Sequence, residues 1–198
     1  MPPHADFAPG TLAITGDADA DLLLNTDPLA LLIGMLLDQQ VPMEWAFNGP
    51  ATLRTRLGAL DAAAIAAMDP EAFEAACREK PAVHRFPASM ARRIQALCQA
   101  VLEDHGGDAG SIWSDGAAGP EVAARLRALP GYGPEKTMIF MAILAKRFGV
   151  RPEGWEAAAG PFADATPRSV ADIDGPEALA TVRAWKKSQK AKGRSKQE

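Results

Sequence analysis

Residues 129–137 read Leu-Pro-Gly-Tyr-Gly-Pro-Glu-Lys-Thr, between VAARLRA and MIFMAILAKRF. Gly131 and Gly133 can take backbone angles that other residues resist. Pro134 suits the first position of a helix, where its missing N–H costs nothing. The N–H groups of Gly133, Glu135 and Lys136 then face outward at the positive end of a helix dipole. Lys136 adds a full charge in that first turn. Without side chains on the glycines, a phosphate can approach the backbone closely, so the stretch is a ready anion site.

The elements around it are helical by pattern. Asp27-Pro28 opens LALLIGMLLDQQ, a nearly all-apolar run of the kind that lies in a core. Val41-Pro42 breaks it, MEWAFNG starts the next element, and Gly49-Pro50 punctuates again before ATLRTRLG. Asp61 to Met68 and Asp69 to Cys77 are two short helices, each opened by Asp. Pro81 to Pro87 is a loop, and Ser89 to His105 a helix ended by Gly106-Gly107. Pro120 to Leu129 and Pro134 to Phe148 flank the glycine turn. WEAAAG and PEALATVRAWKK supply two more helices. No stretch alternates with period two. The expected fold class is all-α.

The chain has 198 residues and 47% hydrophobic content, enough for one or two lobes around a real core. The longest apolar run, PLALLIGMLL, is ten residues, too short for a membrane span. MPPHADFAPG has no basic n-region and no signal-peptide core, so a cytoplasmic location without membrane is expected. Cys77 and Cys98, with three His, cannot make a four-cysteine iron–sulfur site or a typical zinc site. They read as buried small hydrophobes. The net charge of −4 argues mildly against nucleic acid. Against it stands the C-terminus, where Arg183, Lys186, Lys187, Lys190, Lys192, Arg194 and Lys196 face only Glu198. By composition residues 183–198 form a basic, flexible tail, suited to follow a phosphate backbone.

LPGYGPEKT resembles the helix-hairpin-helix of the HhH-GPD superfamily of base-excision DNA glycosylases, the endonuclease III-like group. About ninety residues upstream, DPLALLIGMLLDQQV resembles that family's early helix with its terminal glutamines. HRFPASMARRIQALCQAVLEDHGG resembles the helix before the hairpin. The resemblance covers roughly residues 25–150. It implies two helical lobes around a DNA-binding cleft. The expected division is a barrel lobe over about 41–147, a second lobe from about 1–40 plus 148–182, and the tail. It implies double-stranded DNA with a damaged base as partner, bound by a monomer. At the hairpin it implies a phosphate grip through Leu129, Gly131, Tyr132, Gly133, Lys136 and Thr137, with a monovalent cation (K or Na) on the carbonyls. Gln39 and Gln40 would stand near the gap left by a flipped base, since an amide both donates and accepts. Trp45 and Phe47 would wall the base pocket, with Asp38 and Glu44 as further pocket candidates.

Two departures from the family matter. Bifunctional members carry a lysine two residues after the second hairpin glycine, where this chain has Glu135. Lys136 is turned by about 100° on the helix, so a monofunctional enzyme is expected. The family's aspartate after the second hairpin helix is also missing. Glu153, Glu156, Asp164 and Asp172 are the carboxylates available there. Glu153 lies eighteen residues after Glu135, as the family aspartate would, and is the leading catalytic candidate, followed by Glu156. A nearby carboxylate lowers the barrier to an oxocarbenium-like state. The expected function is a glycosylase that flips a damaged base and hydrolyses its N-glycosidic bond without cofactor or cluster. The alternative is a non-catalytic binder of damaged or distorted DNA, which the missing aspartate would suit.

Overall fold

The computed structural model describes residues 9–195 and 197. Eleven α-helices and two 3-10 turns follow in order, with no strand among the described residues. Local capping sets most of the starts. Asp17, Asp27, Asp61 and Asp69 each accept first-turn amides, opening α1 (Ala18–Thr26), α2 (Pro28–Leu37), α4 (Ala62–Ala67) and α5 (Pro70–Arg78). α6 (Pro87–His105) stops at Gly106, which is left-handed at φ 59°. The short α7 (Ser111–Ser114) precedes α8 (Gly119–Ala128) and α9 (Pro134–Arg147). α10 (Trp155–Ala159) and the 3-10 turns Gly160–Phe162 and Val170–Asp172 lead to α11 (Pro176–Ala191).

Every residue of α2 is buried, as an apolar run without a polar face requires. On one side α4 and α5 pack on α6, and α3 packs on α5. On the other, α8, α9 and α10 pack together, with α9 and α11 on the 170–172 turn. The hairpin helices α8 and α9 thus pack with α10. α2 packs on α1, α3 and α6. Cys77 and Cys98 lie inside, free, and burial pushes both thiols up to about 12.

Two expectations changed. α3 (Met43–Leu57) runs straight through Gly49-Pro50. A Cβ at Gly49 would lie 2.4 Å from Leu37 Cδ1, so the glycine serves close approach of α3 to α2. That packing overrides the breaking tendency of Pro50. The basic tail is also helix as far as Ala191. Val182 is fully buried, which seats α11 on the core, and Arg183 pairs with Glu44 at the start of α3.

Candidate nucleic-acid interface

α8 ends at Leu129, which is extended, and Gly131 takes φ 86°. Only glycine adopts that angle without strain. A Cβ on Gly131 would also fall 2.3 Å from Leu36 Cδ1, because the hairpin is pressed onto the end of α2. Gly133 caps α9 in an extended conformation, exposed, with nothing within 4 Å of an added Cβ. The front of the hairpin is therefore open, and the first-turn amides of a 14-residue helix issue from it.

Behind that front the side chains point inward. Tyr132 is buried, its hydroxyl donating to Leu32 O at 2.8 Å and its ring edge-on to Phe140. Burial raises its pKa well above the ordinary value. Tyr132 therefore anchors the hairpin and does not reach out to a backbone phosphate. Leu129 is core, and Thr137 is buried with a hydroxyl that finds no hydrogen-bond partner. Lys136 donates to Leu36 O at 2.7 Å and to Met35 O. Its charge sits on the carbonyls at the negative end of α2, a tie that joins residues about a hundred positions apart. Lys136 is thus drawn inward, away from the open front at Gly133 where a phosphate contact was expected of it.

The same end of α2 presents the glutamines. Helix α2 stops at Leu37, so Asp38, the half-buried cap, and both glutamines lie beyond it. Gln39 is locked. Its amide nitrogen donates to Leu36 O at 2.7 Å, Arg93 donates to its side-chain oxygen at 2.9 Å, and its carbonyl meets His84 Nε2 at 2.9 Å. Gln40 is exposed and is the sole non-glycine with positive φ, 57°, among the described residues. Such strain persists where the surroundings impose it and clusters at working sites.

A loop not singled out in the sequence completes this face. His84 is wholly buried. Its Nδ1 accepts from Phe86 N at 3.1 Å, so Nε2 carries the proton and donates to Gln39 O. Burial lowers its pKa, and the positive charges of Arg85, Lys136 and Arg93 act in the same direction. The ring is neutral and holds the loop to the glutamine segment. Phe86 is 43% exposed, with the Arg85 guanidinium 4.7 Å over its ring. Trp45 is 39% exposed, its indole donating to Ala82 O at 2.7 Å. Trp45 thus stays available as an aromatic wall. Phe47 does not: it is fully buried against Gly34 and belongs to the core. The signal for this loop was present in the string His-Arg-Phe-Pro, with aromatic and basic residues alternating.

The carboxylates scatter. Glu44 is half-buried and paired with Arg183, and its second oxygen is buried without a partner. Glu153 is exposed, and its carbonyl accepts from Gly119 N at 2.7 Å. Gly119 starts α8, so Glu153 stands roughly 14 Å from the glycine turn along that helix. Glu156 is exposed on the first turn of α10. Asp164 pairs with Arg168 at 2.6 Å, and Asp172 with Lys146 at 2.6 Å. Beside the hairpin, Glu135, Trp185, Lys186, Gln189, Lys190 and Arg194 line a hollow of about 600 Å³. Lys186 also reaches Met43 Sδ at 3.1 Å. No three His, Cys, Asp or Glu side chains among the described residues could hold a metal.

The family model for HhH-GPD superfamily base excision DNA repair proteins matches residues 33–197. No curated protein matches the chain. The matched span holds the glutamine segment, the 81–86 loop, the hairpin and α11, more than the resemblance of residues 25–150 covered. With this match over most of its length and an all-helical fold among the described residues, the chain belongs to the HhH-GPD superfamily of base excision DNA repair proteins.

Proposed function

We propose that the protein is a monofunctional DNA glycosylase that holds duplex DNA by its phosphates, displaces a damaged base and hydrolyses its N-glycosidic bond. The carrying observation is the tie of Lys136 and Tyr132 to α2. It holds the turn that ends at Gly133 to α2, the helix that Gln40 follows in the chain, which supports a phosphate grip and a probing amide on one face. The hairpin amides take phosphate without regard to sequence. Gln40 enters the gap and offers both a donor and an acceptor to the unpaired base. Trp45 and Phe86 give aromatic faces for stacking beside it. Arg85 and the outward cations of α11 add phosphate contacts. A monovalent cation at the hairpin would rest on backbone carbonyls such as that of Leu129, which already accepts from Tyr132 N, and would draw a phosphate closer. Glu135 in place of a lysine removes the Schiff-base route, so the product is free base and an intact abasic strand.

The test is base release from duplexes carrying one uracil, one mismatched thymine, one oxidised purine or one alkylated purine. Release from at least one is expected, without strand cleavage. No release from any of them would sink the proposal. A second reading, a non-catalytic binder of damaged DNA, draws support from the outward position of Glu153 and the ion pairs that engage Asp164 and Asp172. Lesion affinity without turnover would favour it.

A further inference from the structure

We propose that the hollow between α11 and the start of α9 binds a single nucleotide, its base against Trp185 and its phosphate on Lys190 and Arg194; this does not rest on the glycosylase reading above. α11 turns one face to the hollow. Trp185, Lys186, Gln189 and Lys190 stand at positions i, i+1, i+4 and i+5 of the helix and all line it. The chain then turns back. Gly193 takes φ 68°, Arg194 N donates to Gln189 O at 3.0 Å, and Gly193 N donates to Lys190 O at 3.2 Å. This is the left-handed glycine cap, in which residues beyond a helix satisfy its last carbonyls. It brings Arg194 and Ser195 to the same hollow.

The lining joins three kinds of group. Three cations, Lys186, Lys190 and Arg194, stand against the one carboxylate of Glu135, so the hollow favours an anion. Trp185 adds an aromatic ring that is already held, with the Arg168 guanidinium 5.4 Å from its centroid and Arg168 itself paired with Asp164. A held indole loses little freedom when a base stacks on it. Trp185 and Lys190 lie about 7.5 Å apart along the helix axis, comparable to the reach from a base to its own phosphate. Gln189 supplies the third element. Its Oε1 is buried and accepts no hydrogen bond, which costs free energy. Turning the amide into the hollow relieves that cost and offers a hydrogen bond to the edge of a base. An inorganic anion would leave both ring and amide unused. The volume of about 600 Å³ falls within the roughly 300–1,000 Å³ of small-molecule sites. The same chemistry serves a free nucleotide and a nucleotide extruded from a DNA strand.

The probes are labelled dAMP, deoxyadenosine and inorganic phosphate, followed by equilibrium dialysis against the full chain. dAMP is expected to bind at least about tenfold more tightly than either of the others, because it alone uses both ring and cations. Trp185→Leu brings dAMP down to the level of phosphate and leaves phosphate unchanged, whereas Trp185→Phe keeps most of the preference. Lys190→Ala combined with Arg194→Ala, two exposed positions whose loss spares the fold, weakens dAMP and phosphate together. Measurable but equal binding of dAMP and phosphate, indifferent to Trp185→Leu, overturns the proposal, since the hollow is then a plain anion site. So does dAMP binding that none of these variants changes. A duplex with one bulged adenosine, set against the fully paired duplex, identifies the source of the nucleotide. A preference for the bulge that Trp185→Leu removes assigns the hollow to a nucleotide extruded from DNA. dAMP binding without that preference assigns it to a free nucleotide. With neither dAMP binding nor a Trp185-dependent preference for the bulge, the site is overturned. None of these assays measures base release, so the glycosylase reading and the nucleotide site stand or fall separately.

Discussion

At the hairpin, side chains turn inward and backbone faces out. Leu129 and Tyr132 are buried, Lys136 is tied to α2, and Gly131, Gly133 and Pro134 form the exposed surface. At the 81–86 loop the plan is reversed. His84 is buried and fixes the backbone, while Arg85 and Phe86 stand in solvent. Both regions are joined to the same end of α2, one through Leu32, Met35 and Leu36, the other through Gln39. Under the proposed function the difference amounts to a division of labour. A surface of amides binds phosphate and ignores sequence, whereas a surface of rings and guanidinium groups responds to what the bases do.

That division can be broken hardest at Gly131. Gly131→Val forces a β-branched residue to φ 86° with its Cβ 2.3 Å from Leu36. A loss of about 2–5 kcal/mol in denaturant unfolding is expected, with duplex affinity falling alongside. Next is Lys136→Met, which leaves the carbonyls at the end of α2 without their cation and costs about 1.5–3 kcal/mol. A phosphate-binding lysine would on removal lower the salt slope of duplex binding by about one. Here the slope is expected to hold, and a drop of that size would return Lys136 to the DNA. Phe86→Ala should do the opposite. Stability changes by less than about 1 kcal/mol, as at an exposed position, while affinity for a duplex with an extruded base weakens by about 1–3 kcal/mol.

The smallest effect is one of pH. His84 has a lowered pKa in the fold, so below its ordinary value of 6.5 the unfolded chain binds a proton that the native chain does not. Stability should fall as pH drops from about 6.5 towards 5, and His84→Gln should flatten that slope in denaturation midpoints. Protonation would also fill Nδ1, which accepts from Phe86 N, and would release the aromatic loop before the hairpin.

The hairpin was legible because its signals are local. Glycine angles, a proline at the first helical position and an apolar-faced helix on each side need no knowledge of partners. The capping aspartates were readable for the same reason. What a side chain touches was not. Tyr132 and Phe47 are aromatic residues in suggestive places, and their burial depends on α2, distant in sequence from Tyr132. Lys136 looks like a phosphate ligand until the end of α2 comes within reach of its ammonium group. Gly49-Pro50 reads as a stop until α3 is seen pressed on Leu37. Glu135 registered as the absence of a lysine, and its place beside a hollow emerged only once α11 had folded over it.

The tie between Lys136 and α2 has a mechanical consequence. Under the proposed function, the separation of phosphate grip and probing amide is set within the protein before DNA arrives, so the protein would act as a rigid gauge. Any change of shape needed for both to engage must come from the duplex. Intact, well-stacked DNA resists that change more than a damaged or mismatched step does. Discrimination can then begin with the stiffness of the helix, ahead of any contact with the base.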